Sequence, residues 1–179
     1  MTTYTTRTIE GDPQRVAVQL PGGSYGPDTG LLWYARIPFI ERGWTIRVVH
    51  WGDSTKYEDV PAIAAEVVAD AAAGQTVILA KSLGTLALPW AVNHGVAGVW
   101  LTPVLTQPDV AEAVARAGHD QLLIGGTADR LWDSEAAHRG RAQVIEIDRA
   151  DHGLHISDDL EATLAALRTT VLAVDAFIA

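Results

Sequence analysis

The chain has 179 residues, 48% of them apolar and 20% charged, and its 13 Lys and Arg against 22 Asp and Glu give a formal net charge of −9. That length suits one domain, 1–179, long enough to bury a core, and the composition is too apolar for disorder. With no cysteine, a disulfide framework, a thiol nucleophile and every thiolate metal site are excluded, and the acidic balance argues against a nucleic-acid partner. Met1 to Glu10 is polar with no signal-like core, and no apolar run approaches the roughly 20 residues of a membrane span. The expectation is a soluble, cytoplasmic protein that engages neither nucleic acid nor membrane.

Strand-length apolar runs alternate with longer helical stretches. Thr3 to Ile9 is a weak, β-branched strand. Arg15 to Leu20 is a clearer strand, stopped by Pro21-Gly22-Gly23. Asp28 to Gly43 reads as one helix, with Asp28 or Thr29 as cap and Gly43 as stop. Thr45 to His50 is a buried strand. Val60 to Ala73 is a helix with Pro61 in its first turn and Gly74 just past its end. A strand at Thr76 to Ala80 is followed by a helix at Leu83 to His94, despite Pro89. Gly98 to Leu101 is a strand, and Pro108 to Ala117 is a short helix. Gln121 to Gly125 and Gln143 to Ile147 are strands, with a short helix near Ser134 to Arg139 between them. Leu160 to Phe177 is the closing helix.

Strands apolar on both faces, separated by helices, predict an α/β fold. Its mostly parallel sheet of six to seven strands is covered by helices on both sides in three layers. Ligands in such sheets bind at the carboxyl ends of the strands. The polar residues there are Ser24, Asp53, Lys81, Ser82, Thr102, Thr127, Asp129, Asp151 and His152.

The most informative segment is Ala80-Lys81-Ser82-Leu83-Gly84. A strand turning sharply into a helix brings two backbone segments together, so the positions two before and two after the serine must be small, and such a turn lifts the hydroxyl above the sheet. A helix N-cap is the competing reading of Ser82. Two later segments bear on the choice. Gly126-Thr-Ala-Asp129 follows one strand, where Asp129 reads alone as a loop carboxylate or cap. Ala150-Asp151-His152-Gly153 follows the last, where His152 reads alone as a surface histidine. Together they give the order Ser, Asp, His at one sheet edge.

On these three segments the sequence resembles the α/β-hydrolase fold family, from Val16 to the last helix. The acid and histidine loops are similar to those of small dienelactone-hydrolase-like esterases, which often carry a cysteine where this chain has Ser82. Two features depart from the family: Ala80 replaces glycine, and Leu20-Pro21-Gly22-Gly23 stands where a His-Gly pair is common. The resemblance implies Ser82 as nucleophile, His152 as general base and Asp129 as the carboxylate that orients it. The oxyanion donors would be the backbone N–H of Leu83 and that of Gly23 or Ser24. His155, Asp109, Asp151 and Asp53 are weaker competitors. Tyr25, Trp51 and Trp132, with Trp100, are candidates to wall an acyl pocket; Trp33, Trp44 and Trp90 are assigned to the core. Residues 104 to 120 leave room for one short helix and no cap domain, which implies an open site.

The function expected is a serine hydrolase of small carboxylic esters, or thioesters, working through an acyl-enzyme. It would take a small-molecule acyl ester as substrate and use neither a cofactor nor a metal. The alternative is a non-catalytic binding or scaffold protein on the same fold. A nucleotide-binding protein is a weaker rival, because Gly22-Gly23-Ser24-Tyr25-Gly26 lacks phosphate-loop spacing. Oligomeric state is left open, a homodimer included.

Overall fold

Apolar β-branched runs separated by glycine and proline build a seven-stranded sheet in the structure, a computed structural model that describes residues 4–179. Thr3, at the start of the first predicted strand, lies outside the described residues. The strands are β1 (Tyr4–Ile9), β2 (Asp12–Leu20), β3 (Trp44–Trp51), β4 (Gln75–Lys81), β5 (Ala97–Leu101), β6 (Gln121–Gly126) and β7 (Gln143–Ile147), in spatial order β1-β3-β2-β4-β5-β6-β7. Only β1 is antiparallel, paired along its length with β3. β2 begins earlier than the sequence predicts because the Asp12 N–H reaches the Gly43 carbonyl (2.7 Å); its register is broken between Asp12 and Val16, where Pro13 has no N–H to give the ladder.

Alternate strand residues face opposite layers. Val16, Val18, Leu20, Ile78 and Ala80 pack with α3 (Val60–Ala71), α4 (Leu88–His94) and α5 (Pro108–Arg116). Ala17, Val77, Leu79, Val99 and Ile124 pack with α1 (Gly30–Ala35), α2 (Ile37–Glu41) and α7 (Leu160–Phe177). A four-residue α6 (Ser134–Ala137) lies between β6 and β7. The chain leaves β2 toward the α1/α2 layer and leaves β4 toward the α4 layer. Their adjacent carboxyl ends therefore bound the crevice where this sheet class binds ligands.

Three predicted helices differ from those observed. The single helix over 28–43 is two, α1 and α2, hinged at Arg36. Pro38 has no N–H for the Tyr34 carbonyl, and its ring crowds that turn. The helix over 83–94 is a 3-10 turn at Ser82–Ala87 followed by α4; Pro89 likewise cannot bond Thr85, so the α-helix restarts at Leu88, where proline is tolerated in the first turn. The helix over 60–73 stops at Ala71, and Ala72 (φ 46°) rather than Gly74 takes the left-handed cap. Among the described residues no helix is long and apolar enough to cross a membrane.

Phe39 joins α2 to the sheet, fully buried and set edge-on against Trp44 at 5.4 Å between ring centroids. Phe39→Ala is expected to lower unfolding free energy by about 3–5 kcal/mol, read from urea denaturation.

Candidate active site

At the end of β4 the chain turns through Ser82 in the left-handed region (φ 49°). That conformation costs a non-glycine residue about 1–3 kcal/mol and persists only where its surroundings enforce it. Two contacts do so. The Gly84 N–H donates to the Pro21 carbonyl at 3.0 Å, and a β-carbon on Gly84 would overlap the Leu20 carbonyl. The end of β2 is thereby pressed against the turn, with Gly22 at ordinary contact distance from Ser82. Ser82 is the first residue of the 3-10 turn and caps nothing.

Its hydroxyl instead meets His152. Ser82 Oγ lies 2.8 Å from His152 Nε2, and His152 Nδ1 lies 2.6 Å from Asp129 Oδ2. A carboxylate only accepts, so Nδ1–H is the donor to Asp129 and, in the neutral imidazole, Nε2 is left to accept the Ser82 proton. Asp129 is buried, and its Oδ1 accepts the Leu131 N–H at 2.9 Å, which fixes the carboxylate in plane. The His152 side chain is 35% exposed, so one side of the imidazole faces solvent.

The two loops that supply these groups brace each other. Ala128 N–H donates to Ala150 and Thr127 N–H to Ile147, both at 3.0 Å. The Arg149 N–H donates to Thr127 Oγ1 at 2.7 Å. A β-carbon on Gly126 would overlap the Ala150 carbonyl, so glycine is required for the loops to touch. Asp151 turns away from the imidazole, and its Oδ1 accepts the N–H groups of Gly153 (2.7 Å) and His155 (3.0 Å).

The competing residues lie elsewhere. His155 is exposed and sits 3.7 Å from Asp151, in a loop rather than at the start of α7. Asp109 lies in the first turn of α5, where Oδ1 accepts the Val110 N–H. The aromatic residues also need correction. A cavity of about 380 Å³ adjoins Ser82, Leu83, Gly23 and Ser24, and its apolar wall is Leu86, Val104 and Leu131, with Tyr57 and Gln107 at its edge. Tyr25, Trp51 and Trp132 do not line it; Tyr25 and Trp51 line a separate cavity with Gly22, Gly23 and Ser24. Tyr25 Oη accepts the Leu31 N–H at 2.7 Å and so anchors the start of α1. Trp51 donates to the Pro21 carbonyl (3.0 Å). Trp132 is buried against Gly125 and donates to Glu146 (2.6 Å). Trp100 is in the core, and Trp33 is 46% exposed rather than buried.

Sequence reasoning missed the cavity wall, because aliphatic residues in three separate segments carry no local signal. It also named Lys81 at the strand ends without giving a role to this residue, which is 2% exposed. A lysine closing the apolar run Val77-Ile78-Leu79-Ala80 was the available clue. Among the described residues no group of three or more His, Asp or Glu is placed to hold a metal ion.

No protein-family model and no curated protein sequence matches the chain. Solved structures do. An α/β serine hydrolase homologue from Coxiella burnetii superposes with a TM-score of 0.69 at 12% identity, covering 95% of this chain and 91% of the other. The esterase Pf2001 of Pyrococcus furiosus gives 0.70 at 11%, covering 98% and 91%. An α/β serine hydrolase without lid from Xanthomonas campestris gives 0.65 at 17%, covering 95% and 88%.

The chain has the α/β-hydrolase fold. Between β5 and β6 this α/β-hydrolase core carries only α5, with no cap domain. The left-handed turn at Ser82 makes a measurable difference between two substitutions that both delete the hydroxyl. Ser82→Gly is expected to be about 1 kcal/mol more stable than Ser82→Ala, because glycine adopts φ > 0 freely; thermal unfolding of the pair checks this.

Proposed function

We propose that this protein is a cytoplasmic serine hydrolase that cleaves small carboxylic esters or thioesters through an acyl-enzyme. The observation that carries the reading is the continuous hydrogen-bonded series Ser82–His152–Asp129, at 2.8 and 2.6 Å.

A serine hydroxyl is a weak nucleophile until a base removes its proton. His152 Nε2 takes that proton as Ser82 Oγ attacks the acyl carbon, and Asp129 stabilises the imidazolium while holding the ring in place. The tetrahedral oxyanion forms beside the backbone N–H of Leu83 and that of Gly23 or Ser24. Each such donor is worth about 3–4 kcal/mol in comparable sites. The imidazolium then protonates the departing alcohol or thiol. Water, deprotonated by the same nitrogen, hydrolyses the acyl-serine and restores the enzyme.

The wall of Leu86, Val104 and Leu131 favours an apolar acyl group, and the cavity of about 380 Å³ suits a short or single-ring acyl chain rather than a long lipid. No cofactor or metal takes part in this scheme.

Labelling by a fluorophosphonate probe and turnover of a short-chain nitrophenyl ester test the proposal. Both are expected in the native protein and absent in Ser82→Ala, with Asp129→Asn reducing kcat by about 10⁴-fold. A native protein that neither labels nor turns over any of a panel of acyl esters would overturn the proposal in favour of a binding protein on this fold. Leu86→Trp is expected to shift preference toward acetyl over butyryl esters, measured as the ratio of the two kcat/KM values.

A further inference from the structure

Lys81 takes no part in the scheme above, yet its side chain is buried at the centre of the site. Lys81 is the last residue of β4, next to Ser82. The ammonium donates to the His152 carbonyl at 3.1 Å and to Thr102 Oγ1 at 3.2 Å. It also lies 4.7 Å from the centre of the Tyr25 ring. One side chain thus touches the loop after β7, the end of β5 and the loop after β2, while its own backbone carries the turn. Thr102 is itself held in the left-handed region (φ 44°) and fully buried, so its hydroxyl is presented to the ammonium by a strained backbone.

We propose that Lys81 is a positioning residue: its ammonium clamps the main chain of His152 to the end of β5, so that the imidazole spans the gap between Ser82 and Asp129. The kinetic consequences rest on the hydrolase reading; the geometric claim does not.

The energetics favour a role in the site over a role in stability. An ammonium taken out of water loses hydration that two neutral acceptors and a ring face only partly replace. Burial pulls the amine down from 10.5 to about 8, against the opposing pull of Asp129 and Asp151, the carboxylates that act on it. At neutral pH the folded chain therefore carries a charge it would more easily hold unfolded. That cost fades as pH rises from about 8 toward 10.5, where the unfolded state binds the extra proton. An apolar side chain of the same length would avoid the cost entirely. A methionine would, however, leave the His152 carbonyl and the Thr102 hydroxyl without this donor. These two effects oppose each other in stability but not in the placement of the imidazole.

The test compares the native chain, K81M and K81C. Because the sequence has no cysteine, K81C carries a single thiol. Alkylation with bromoethylamine in denaturant, followed by refolding, rebuilds an amine of lysine length, and native protein taken through the same cycle is the control. The first readout is the downfield proton resonance of the His152 Nδ1–H bonded to Asp129, assigned by its loss in Asp129→Asn. It is expected in the native protein, broadened away or shifted upfield in K81M and K81C, and restored by aminoethylation. The second is ester turnover, where K81M and K81C are expected to lose about 10- to 100-fold in kcat, the scale of a misplaced catalytic group. KM should change by less than about threefold if only positioning is lost.

Retention of the native resonance in K81M overturns the proposal, as does failure of aminoethylation to restore it in a refolded chain. If K81M does not fold, K81C before and after alkylation supplies the same comparison. If the native protein shows no Ser82-dependent turnover, the hydrolase reading fails, and the resonance alone decides the role of Lys81.

Discussion

The close approach of the loop after β2 to the turn after β4 is the constraint from which the rest of the site follows. Gly84 lies against the Leu20 carbonyl and donates to Pro21, and Gly22 lies over Ser82. With no β-carbon on Gly84 in the way, the turn can be tight enough to force Ser82 into a left-handed conformation and to aim its hydroxyl across the sheet edge. The same approach sets the backbone of Gly23 and Ser24 beside the cavity that reaches Ser82. One steric fact thus fixes the direction of the hydroxyl and the position of the proposed oxyanion donors together. The strain at Ser82 is stored in that turn and held by the surrounding strands.

On the other side of the crevice the order comes from hydrogen bonds. The loops after β6 and β7 are tied through Thr127, Ala128, Arg149 and Ala150, so Asp129 and His152 are carried on one braced unit. Asp151 closes the histidine loop on itself through two N–H groups. Lys81, next to Ser82 in the chain, connects this unit to the serine side through the His152 carbonyl. The site therefore consists of two rigid halves joined by a few polar contacts, in a place where burial makes each contact stronger and each missing one more costly.

Much of this was legible in the chain order of residues. Period and composition identified every strand, and Gly43 marked a helix end that the structure confirms with positive φ. Two of the three helix errors have a common origin. Pro38 and Pro89 lie in stretches with good apolar content, and pattern alone does not show whether a proline bends a helix or restarts it. That depends on whether the preceding turn can satisfy its freed carbonyls. The aromatic residues misled for a different reason. A tryptophan near a strand end is close to the site in sequence terms, yet Trp132 turns inward onto Gly125, while Trp33, assigned to the core, stands on the solvent side of α1.

The sequence by itself determined the class of fold and the three positions whose residue types make chemistry at the sheet edge conceivable. Both depend on local rules: strand and helix periods, small residues around a sharp turn, and the placement of loops after strands. Tertiary structure decided what touches what. It set the 2.8 and 2.6 Å spacings around His152, recruited Leu86, Val104 and Leu131 from separate segments to form the cavity wall, and brought the ammonium of Lys81 to the main-chain carbonyl of His152. Such contacts join residues up to 71 positions apart. No local pattern encodes them, because they arise only when the packing of both layers fixes how the strand ends lie side by side.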